Sequence, residues 1–318
     1  MSSSEPLQAL GAPRKPRRVN VLLNANSGTT AGKSRDGLRN SLQTAFRSHD
    51  IAANLQFLPS DDLGSSAERA LRDVISGEAD AIIVGGGDGS IRTVAAIIAG
   101  SGVPLGILPL GTLNHFAKDL KIPLAIDEAV GIIAAGETSL VDMGEANGKL
   151  FINNSSIGIY PYLVLDRERR RHRQKLPKWL AMGIASLKVL RNLPIRHLSI
   201  NAKQWKDVCR SPCVFIGNNE YHLTGPGLGS RERLDGGQLC LYVAKQEGRA
   251  ALLWLATRSI LGLVHQESDL RSVLLTAVEI VSHRKRILVA FDGEIETLQS
   301  PIKYQIRPGA LRVFAKLR

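Results

Sequence analysis

The sequence predicts an α/β domain built on a parallel sheet, followed by a β-rich, sandwich-like second domain. Three observations carry that prediction. Up to about residue 145, short apolar runs alternate with helical stretches, the pattern of parallel strands joined by helices. Beyond it, strand-like runs follow one another with few helices between. Finally, the early run Ala81-Ile82-Ile83-Val84 leads directly into Gly85-Gly86-Gly87-Asp88-Gly89-Ser90, a glycine-dense strand-to-helix junction.

Taken in order, strands are expected over 19–24, 51–58, 81–84 and 104–108, with helices over 34–48, 64–77, 91–99 and 126–135. The run 81–84 reads as a buried parallel strand. The second half should hold strands over 195–202, 212–217, 239–244, 273–282 and 286–291. A length of 318 residues suits two such domains. We assign 1–17 to a disordered basic tail, 18–145 to the α/β domain and 146–318 to the β-rich domain. The boundary is soft, near 142–149, and the C-terminal segment could return to the first domain.

A strand–glycine turn–helix junction aims bare backbone N–H groups at one spot, backed by the positive end of the helix dipole, and so suits phosphate. Glycine can serve this twice, by allowing positive φ and by letting the backbone approach the anion. Asp88 sharpens the reading. A carboxylate beside a polyphosphate is repelled unless a cation lies between them or it takes a proton, so a Mg²⁺-nucleotide site is expected. The alternative is a structural turn with a solvated Asp88. Two better-known phosphate motifs fail: Ser90 and Arg92 stand where a dinucleotide fingerprint needs its third glycine, and Ser27 replaces the first glycine of a P-loop. In open α/β sheets ligands sit beyond the carboxyl ends of the strands. Three loops fall there, 24–33, 85–90 and 109–114, with the cleft expected between the two domains.

The net charge of +12 favours an anionic partner: nucleic acid, an anionic membrane or phosphorylated substrates. Cys209, Cys213 and Cys240 cannot all pair and form no zinc-spaced cluster, which fits a reduced, cytosolic setting. The first 18 residues lack the apolar core of a signal peptide. The longest apolar stretch, 250–264, contains Arg258 and is too short and polar for a membrane span.

With the loops placed, the chain resembles the diacylglycerol-kinase catalytic family of lipid kinases, which includes bacterial soluble lipid kinases and sphingosine kinases. The motifs run in family order: Asn24-Ala25-Asn26-Ser27-Gly28, the glycine turn, Gly111-Thr112-Leu113-Asn114, Leu234-Asp235-Gly236-Gly237, Phe291-Asp292-Gly293-Glu294 and Arg307-Pro308-Gly309-Ala310-Leu311. The resemblance implies an α/β nucleotide-binding domain followed by a β-sandwich, and an enzyme using ATP and Mg²⁺ to phosphorylate a lipid hydroxyl, as in diacylglycerol or a sphingoid base. By position it implies nucleotide contacts from Asn24, Gly28, Ser60, Gly85, Gly86, Gly87, Asp88, Gly89, Ser90, Thr112 and Asn114. It makes Asp292 the proton acceptor, accompanied by Glu294 and Asp88.

The chemistry agrees: an alcohol must lose its proton as the γ-phosphoryl group arrives, and a carboxylate can orient the hydroxyl and take that proton. In an extended segment Asp292 and Glu294 would share one face, with Gly293 leaving room between them. The alternative is a type I′ Asp-Gly turn joining strands over 287–291 and 294–298. A hairpin tip can itself present a base.

The chain departs from the family at two positions. His115 stands where an aspartate is usual, and Gly236 replaces the second of two adjacent acids. In some bacterial relatives such acids support a second, structural Mg²⁺. Without them we expect only the ATP-associated metal, reached through Asp88; Asp235 is the remaining metal candidate and otherwise serves structure. His115 would either contact a phosphate or stand in the first turn of a helix.

Residues 167–178 hold seven Lys or Arg against Glu168, followed by Trp179 and a partly apolar stretch. This suits docking to an anionic membrane, and so a cytoplasmic protein held peripherally at the inner membrane face. The alternatives are a solvated loop before a core helix, or a nucleic-acid patch, disfavoured by the 5% aromatic content. Two other functions compete. A NAD-kinase-like activity shares the Gly-Gly-Asp-Gly turn, although Gly217-Asn218-Asn219-Glu220 sits too late for its Asn-Glu element. A non-catalytic nucleotide or lipid sensor would explain the missing acids.

Overall fold

The structure, a computed structural model, describes residues 15–28, 34–158, 196–203, 205–211, 213–222, 229–244 and 270–317. It divides into two units, one of Met1–Met143 with Arg307–Arg318 and the other of Gly144–Ile306. The tail, the basic segment 167–178 and the apolar stretch 250–264 fall wholly or mainly outside the described residues. Among the described residues, no helix is long and apolar enough to cross a membrane.

The first unit runs β1 (Arg18–Asn24), α1 (Arg35–Arg47), β2 (Ala52–Leu58), a 3₁₀ turn (Ser60–Asp62), α2 (Leu63–Ile75), β3 (Ala81–Gly86), α3 (Asp88–Ile98), β4 (Pro104–Pro109), α4 (His115–Asp119) and α5 (Ile126–Ala135). Its strands lie parallel in the order β2-β1-β3-β4. Arg312 and Val313, from a later strand, add in parallel beside β4. The strands β1, β3 and β4 bury nearly every residue, because helices cover both faces of a parallel sheet. Helix α1 starts where Ser34 Oγ accepts from Gly37 N at 3.0 Å, and buries the stripe Leu38, Leu42, Ala45 and Phe46. Helix α5 stops at Gly136, whose φ of 74° closes it in the left-handed region.

Most expected boundaries move by a residue or two, within the usual fraying of element ends. The glycine turn moves further. Strand β3 runs through Gly86 and α3 begins at Asp88, three residues before the expected start, so Gly87 alone joins them. Gly87 has φ −89°, and none of Gly85, Gly86 or Gly89 has positive φ. Positive φ, one of the two uses expected for these glycines, is thus not what this turn draws on.

The second unit continues through β5 (Thr138–Ala146), which begins in the first, then β6 (Lys149–Phe151), β7 (Asn154–Gly158), β8 (Arg196–Ala202), β9 (Trp205–Ser211), β10 (Cys213–Asn218), β11 (Leu239–Ala244), β12 (Leu270–Leu275), β13 (Ala277–Ser282), β14 (Arg286–Phe291), β15 (Glu294–Gln299) and β16 (Ile302–Phe314). The start of β16, β13, β8 and β9 form one antiparallel sheet; β12-β11-β10-β7-β14-β15 form another. Ile200, Ile280, Ile302 and Tyr304 from the first share a core with Ile157, Val214, Ile216, Leu241 and Val289 from the second. This is the expected sandwich. Phe151 lies in it with ring centroids 5.9 Å from Phe291 and 6.4 Å from Tyr304. The buried Tyr304 hydroxyl meets Ser155 Oγ at 3.0 Å, so its polar end is satisfied.

The single strand expected over 273–282 is instead two. Strand β12 pairs with β11 in one sheet and β13 with β8 and β16 in the other. Thr276 makes the crossing, its carbonyl accepting from Ile306 N at 2.9 Å.

Cys240 is a free thiol buried beside Tyr242, and burial pushes it up to about 11. A thiolate is the reactive form, so this sulfur should be inert. Peptide mapping after alkylation at pH 8 is expected to find Cys240 unmodified in the native protein and modified after unfolding.

Candidate active site

Three loops at the carboxyl ends of β1, β3 and β4 meet in the first unit. Asn24, the last residue of β1, donates from Nδ2 to Ser90 Oγ at 2.8 Å. Its Oδ1 accepts from Asn26 N at 2.9 Å and from Ser60 Oγ at 3.4 Å. One buried amide therefore ties together segments that follow β1, β2 and β3. Asn114, in the left-handed region at φ 52°, staples its own loop: Oδ1 accepts from Gly111 N at 2.9 Å, while Nδ2 donates to Pro109 O at 3.2 Å and Gly111 O at 2.9 Å.

The loops touch through bare backbone. A Cβ on Gly111 would lie 2.3 Å from Gly87 Cα, and one on Gly28 would lie 2.9 Å from Thr112 Oγ1. A Cβ on Gly86 would lie 2.6 Å from Ser90 Cβ. The first turn of α3 opens at this junction, with backbone N–H groups that a helix leaves without intrahelical acceptors. Together with the helix dipole they favour an anion. Asn24, Ser90 and Asn114 thus shape the cradle, their side chains already spent on one another and on the loops. Gly85 differs from the rest: it is paired inside β3 with Leu23 and Leu108, and its missing side chain makes room for Leu23 Cδ2, 2.4 Å from where a Cβ would stand. Its place is in sheet packing.

Asp88, the first residue of α3, reaches across to α4. Its carboxylate accepts from His115 N at 3.2 Å and Phe116 N at 3.0 Å, an anion on a helix N-terminus. His115 stands in the first turn of α4, the plainer of its two expected places. Asp88→Ala is expected to cost about 1 kcal/mol of unfolding free energy in urea, as lost caps do, and Asp88→Asn less, since it keeps one acceptor.

In the second unit, β14 and β15 form a two-residue hairpin in which Phe291 pairs with Glu294, with Asp292 at φ 50° and Gly293 at φ 90°. Positive φ at both central residues is the type I′ pattern. Asp292 and Glu294 accordingly do not share a strand face: Asp292 is in the turn and Glu294 opens β15, exposed. The Asp292 carboxylate is clasped by backbone. Oδ2 accepts from Ile152 N at 2.9 Å, and Oδ1 from Asn153 N at 2.7 Å and Asn154 N at 3.0 Å. Asp235 pairs with Arg233 Nε at 3.1 Å near the surface, and no three His, Cys, Asp or Glu gather as metal ligands among the described residues.

Residues 18–146 match the family model of the diacylglycerol kinase catalytic domain. This stretch belongs to that family. It holds the whole cradle of the first unit, whereas Asp235, Asp292 and Glu294 lie beyond it. A probable lipid kinase YegS-like of Yersinia enterocolitica is 40% identical to the chain over 96 residues, 29% of this chain and 32% of that relative. One of Yersinia pestis is 27% identical over 207 residues, 62% of this chain and 64% of its own length. The chain thus matches about a third of the length of the first of these relatives. Two solved structures extend the likeness to the fold as a whole. A candidate diacylglycerol kinase from Bacillus anthracis superposes with a TM-score of 0.72 at 21% identity, covering 95% of this chain and 99% of that one. A further diacylglycerol kinase structure from the same organism gives 0.66 at 21% identity, covering 95% and 98%.

Two residues around Asp292 escaped the sequence reading. Asn218 was noticed only within a misplaced Asn-Glu element, yet its Nδ2 donates to Ile152 O at 2.9 Å and its N–H to Asn153 O at 2.9 Å. Arg231 gave no sequence signal at all, lying 79 positions from the carbonyl it binds.

Proposed function

We propose that this chain is an ATP-dependent lipid kinase, transferring the γ-phosphoryl group of Mg²⁺-ATP to a hydroxyl of a membrane lipid such as diacylglycerol or a sphingoid base. The observation that carries the reading is the convergence of three glycine-bearing loops, within the stretch that matches the catalytic-domain family, at the open end of α3. The naming of the relatives as probable lipid kinases supports the acceptor class.

In this reading Gly86, Gly87, Gly89 and Gly111 give the phosphates close access to backbone N–H groups, and Gly28 and Thr112 border them. The residues present suit a Mg²⁺ that arrives on the nucleotide, since Mg²⁺ is usually held by one or two carboxylates plus substrate phosphates. Asp88 is the carboxylate beside the cradle that would serve it, neutralising charge on the transferred group. Asp292 orients the lipid hydroxyl and accepts its proton, with Glu294 the nearest acid in sequence. The basic segment 167–178 would hold the protein at an anionic membrane, where its substrate lies.

The test is transfer of labelled phosphate from Mg²⁺-ATP to a panel of lipid alcohols in mixed micelles. Transfer to one lipid class is the expected result and names the acceptor. Nucleotide binding without transfer to any lipid would indicate a sensor instead. Phosphorylation of soluble NAD without detergent would replace the lipid-kinase reading with a NAD-kinase-like one.

A further inference from the structure

We propose that Arg231 is a positioning residue for Asp292, acting through the peptide group that joins Ile152 to Asn153. The proposal rests on the reading of Asp292 as proton acceptor.

Arg231 is only 4% exposed, and a guanidinium stays charged wherever it is placed. Burial on that scale is costly unless the donors are used. Here Nη1 donates to Ile152 O at 2.8 Å and Asn218 O at 3.0 Å, and Nη2 donates to Asn153 Oδ1 at 2.7 Å. The Tyr221 ring lies 5.3 Å from the guanidinium carbon, and its backbone N–H donates to the Tyr242 hydroxyl at 2.8 Å. The fork is therefore fixed in plane and in depth.

The target of that fork is specific. The carbonyl of Ile152 and the N–H of Asn153 are two ends of one peptide group. At one end Arg231 donates to the oxygen; at the other, the N–H donates to Asp292 Oδ1 at 2.7 Å, shorter than the bonds from Ile152 N and Asn154 N. A cation and an anion thus polarise the same dipole in the same sense, and hydrogen bonds in such a series strengthen one another.

The rest of the turn is equally committed. Asn218 bonds Ile152 O and Asn153 O, and Asp292 N donates to Asn154 O at 2.9 Å, so every backbone N–H and carbonyl over 152–154 has a partner. The peptide cannot swing without breaking several bonds, and the carboxylate is aimed by whatever holds the peptide.

The experiment compares wild type, Arg231→Lys and Arg231→Met in the full chain. It measures kcat and KM for ATP in the micelle assay, the folded fraction by thermal unfolding, and the Asn153 amide resonance by ¹H–¹⁵N correlation. Displacements of about 1 Å can cost about 100-fold in rate. Per folded molecule, kcat is expected to fall about 100-fold in Arg231→Met and about 10-fold in Arg231→Lys, which keeps the charge but not the fork. KM for ATP should hold, and the Asn153 amide should move upfield in both. An unchanged kcat per folded molecule, or an unmoved Asn153 resonance, overturns the proposal. Should Arg231→Met fail to fold, Arg231→Lys decides alone. Asp292→Asn in the same assay separates the two ideas: wild-type turnover there sinks the proton-acceptor reading, while the Asn153 resonance still reports whether Arg231 acts on the peptide.

Discussion

Asp292→Asn is expected to lower phosphoryl transfer by about 10²–10⁴-fold, the usual worth of a positioned general base. Asparagine is the informative replacement because it tolerates the positive φ of this turn, which alanine would strain. It also keeps one acceptor oxygen. The best fit leaves the amide oxygen facing Asn153 N and Asn154 N and turns the NH₂ toward Ile152 N, donor against donor. Leaving one buried N–H unanswered costs about 1–3 kcal/mol. Two readouts should therefore move together, turnover by orders of magnitude and the urea midpoint slightly. A variant that loses stability yet keeps its turnover per folded molecule would make Asp292 a turn residue and nothing more.

Gly111→Ala should have the second-largest effect, on nucleotide affinity. Its Cβ would meet Gly87 Cα at 2.3 Å and Asn114 Oδ1 at 2.7 Å, so backbone rather than a flexible side chain must give way. The loop cannot easily retreat, because Asn114 grips both the N–H and the carbonyl of residue 111. Overpacking of this kind costs about 1–3 kcal/mol, which corresponds to about 5- to 150-fold in an equilibrium constant. Calorimetric titration with Mg²⁺-ATP should show weakening of that order. Gly131→Ala is the control. It lies within α5, its Cβ would meet nothing within 4 Å, and alanine there is expected to stabilise by about 0.5–1 kcal/mol without touching affinity. Equal affinity in both variants would remove the cradle from the binding site.

Much of this architecture is written locally. The alternation of apolar runs and capped amphipathic stretches specifies the parallel sheet, and Ser34 and Gly136 mark helix ends at the sequence level. The break at Thr276 is also legible in retrospect. Val273 and Leu275 face inward, and so do Val278 and Ile280, which shifts the two-residue period by one between Leu275 and Val278. The early start of α3 was harder to see, since glycines are poor helix formers and Gly89 belongs to its first turn. Tertiary contact overrides the propensity, with Asn24 gripping Ser90 and Asp88 committed to α4. The surroundings of Asp292 were least legible. Its partners lie 138 to 140 positions away, and no pattern within a window of sequence encodes contacts at that separation.

Strand β16 has a bearing on how the protein is made. Ile302 to Gln305 pair with β13, and seven residues later Arg312 and Val313 pair with β4. The same stretch supplies Gly100 N with the Ala310 carbonyl at 2.7 Å, Asp142 Oδ1 with Gly309 N at 2.8 Å and Ser139 Oγ with the Ala315 carbonyl at 2.8 Å. A ribosome delivers β1 to β4 long before these residues. Until they emerge, the nascent sheet shows β4 as a naked edge, the kind of surface that invites pairing with another chain. The phosphate cradle is thus translated first and sealed at its flank last, which makes the interval between the two the moment when this chain most needs shielding from its neighbours.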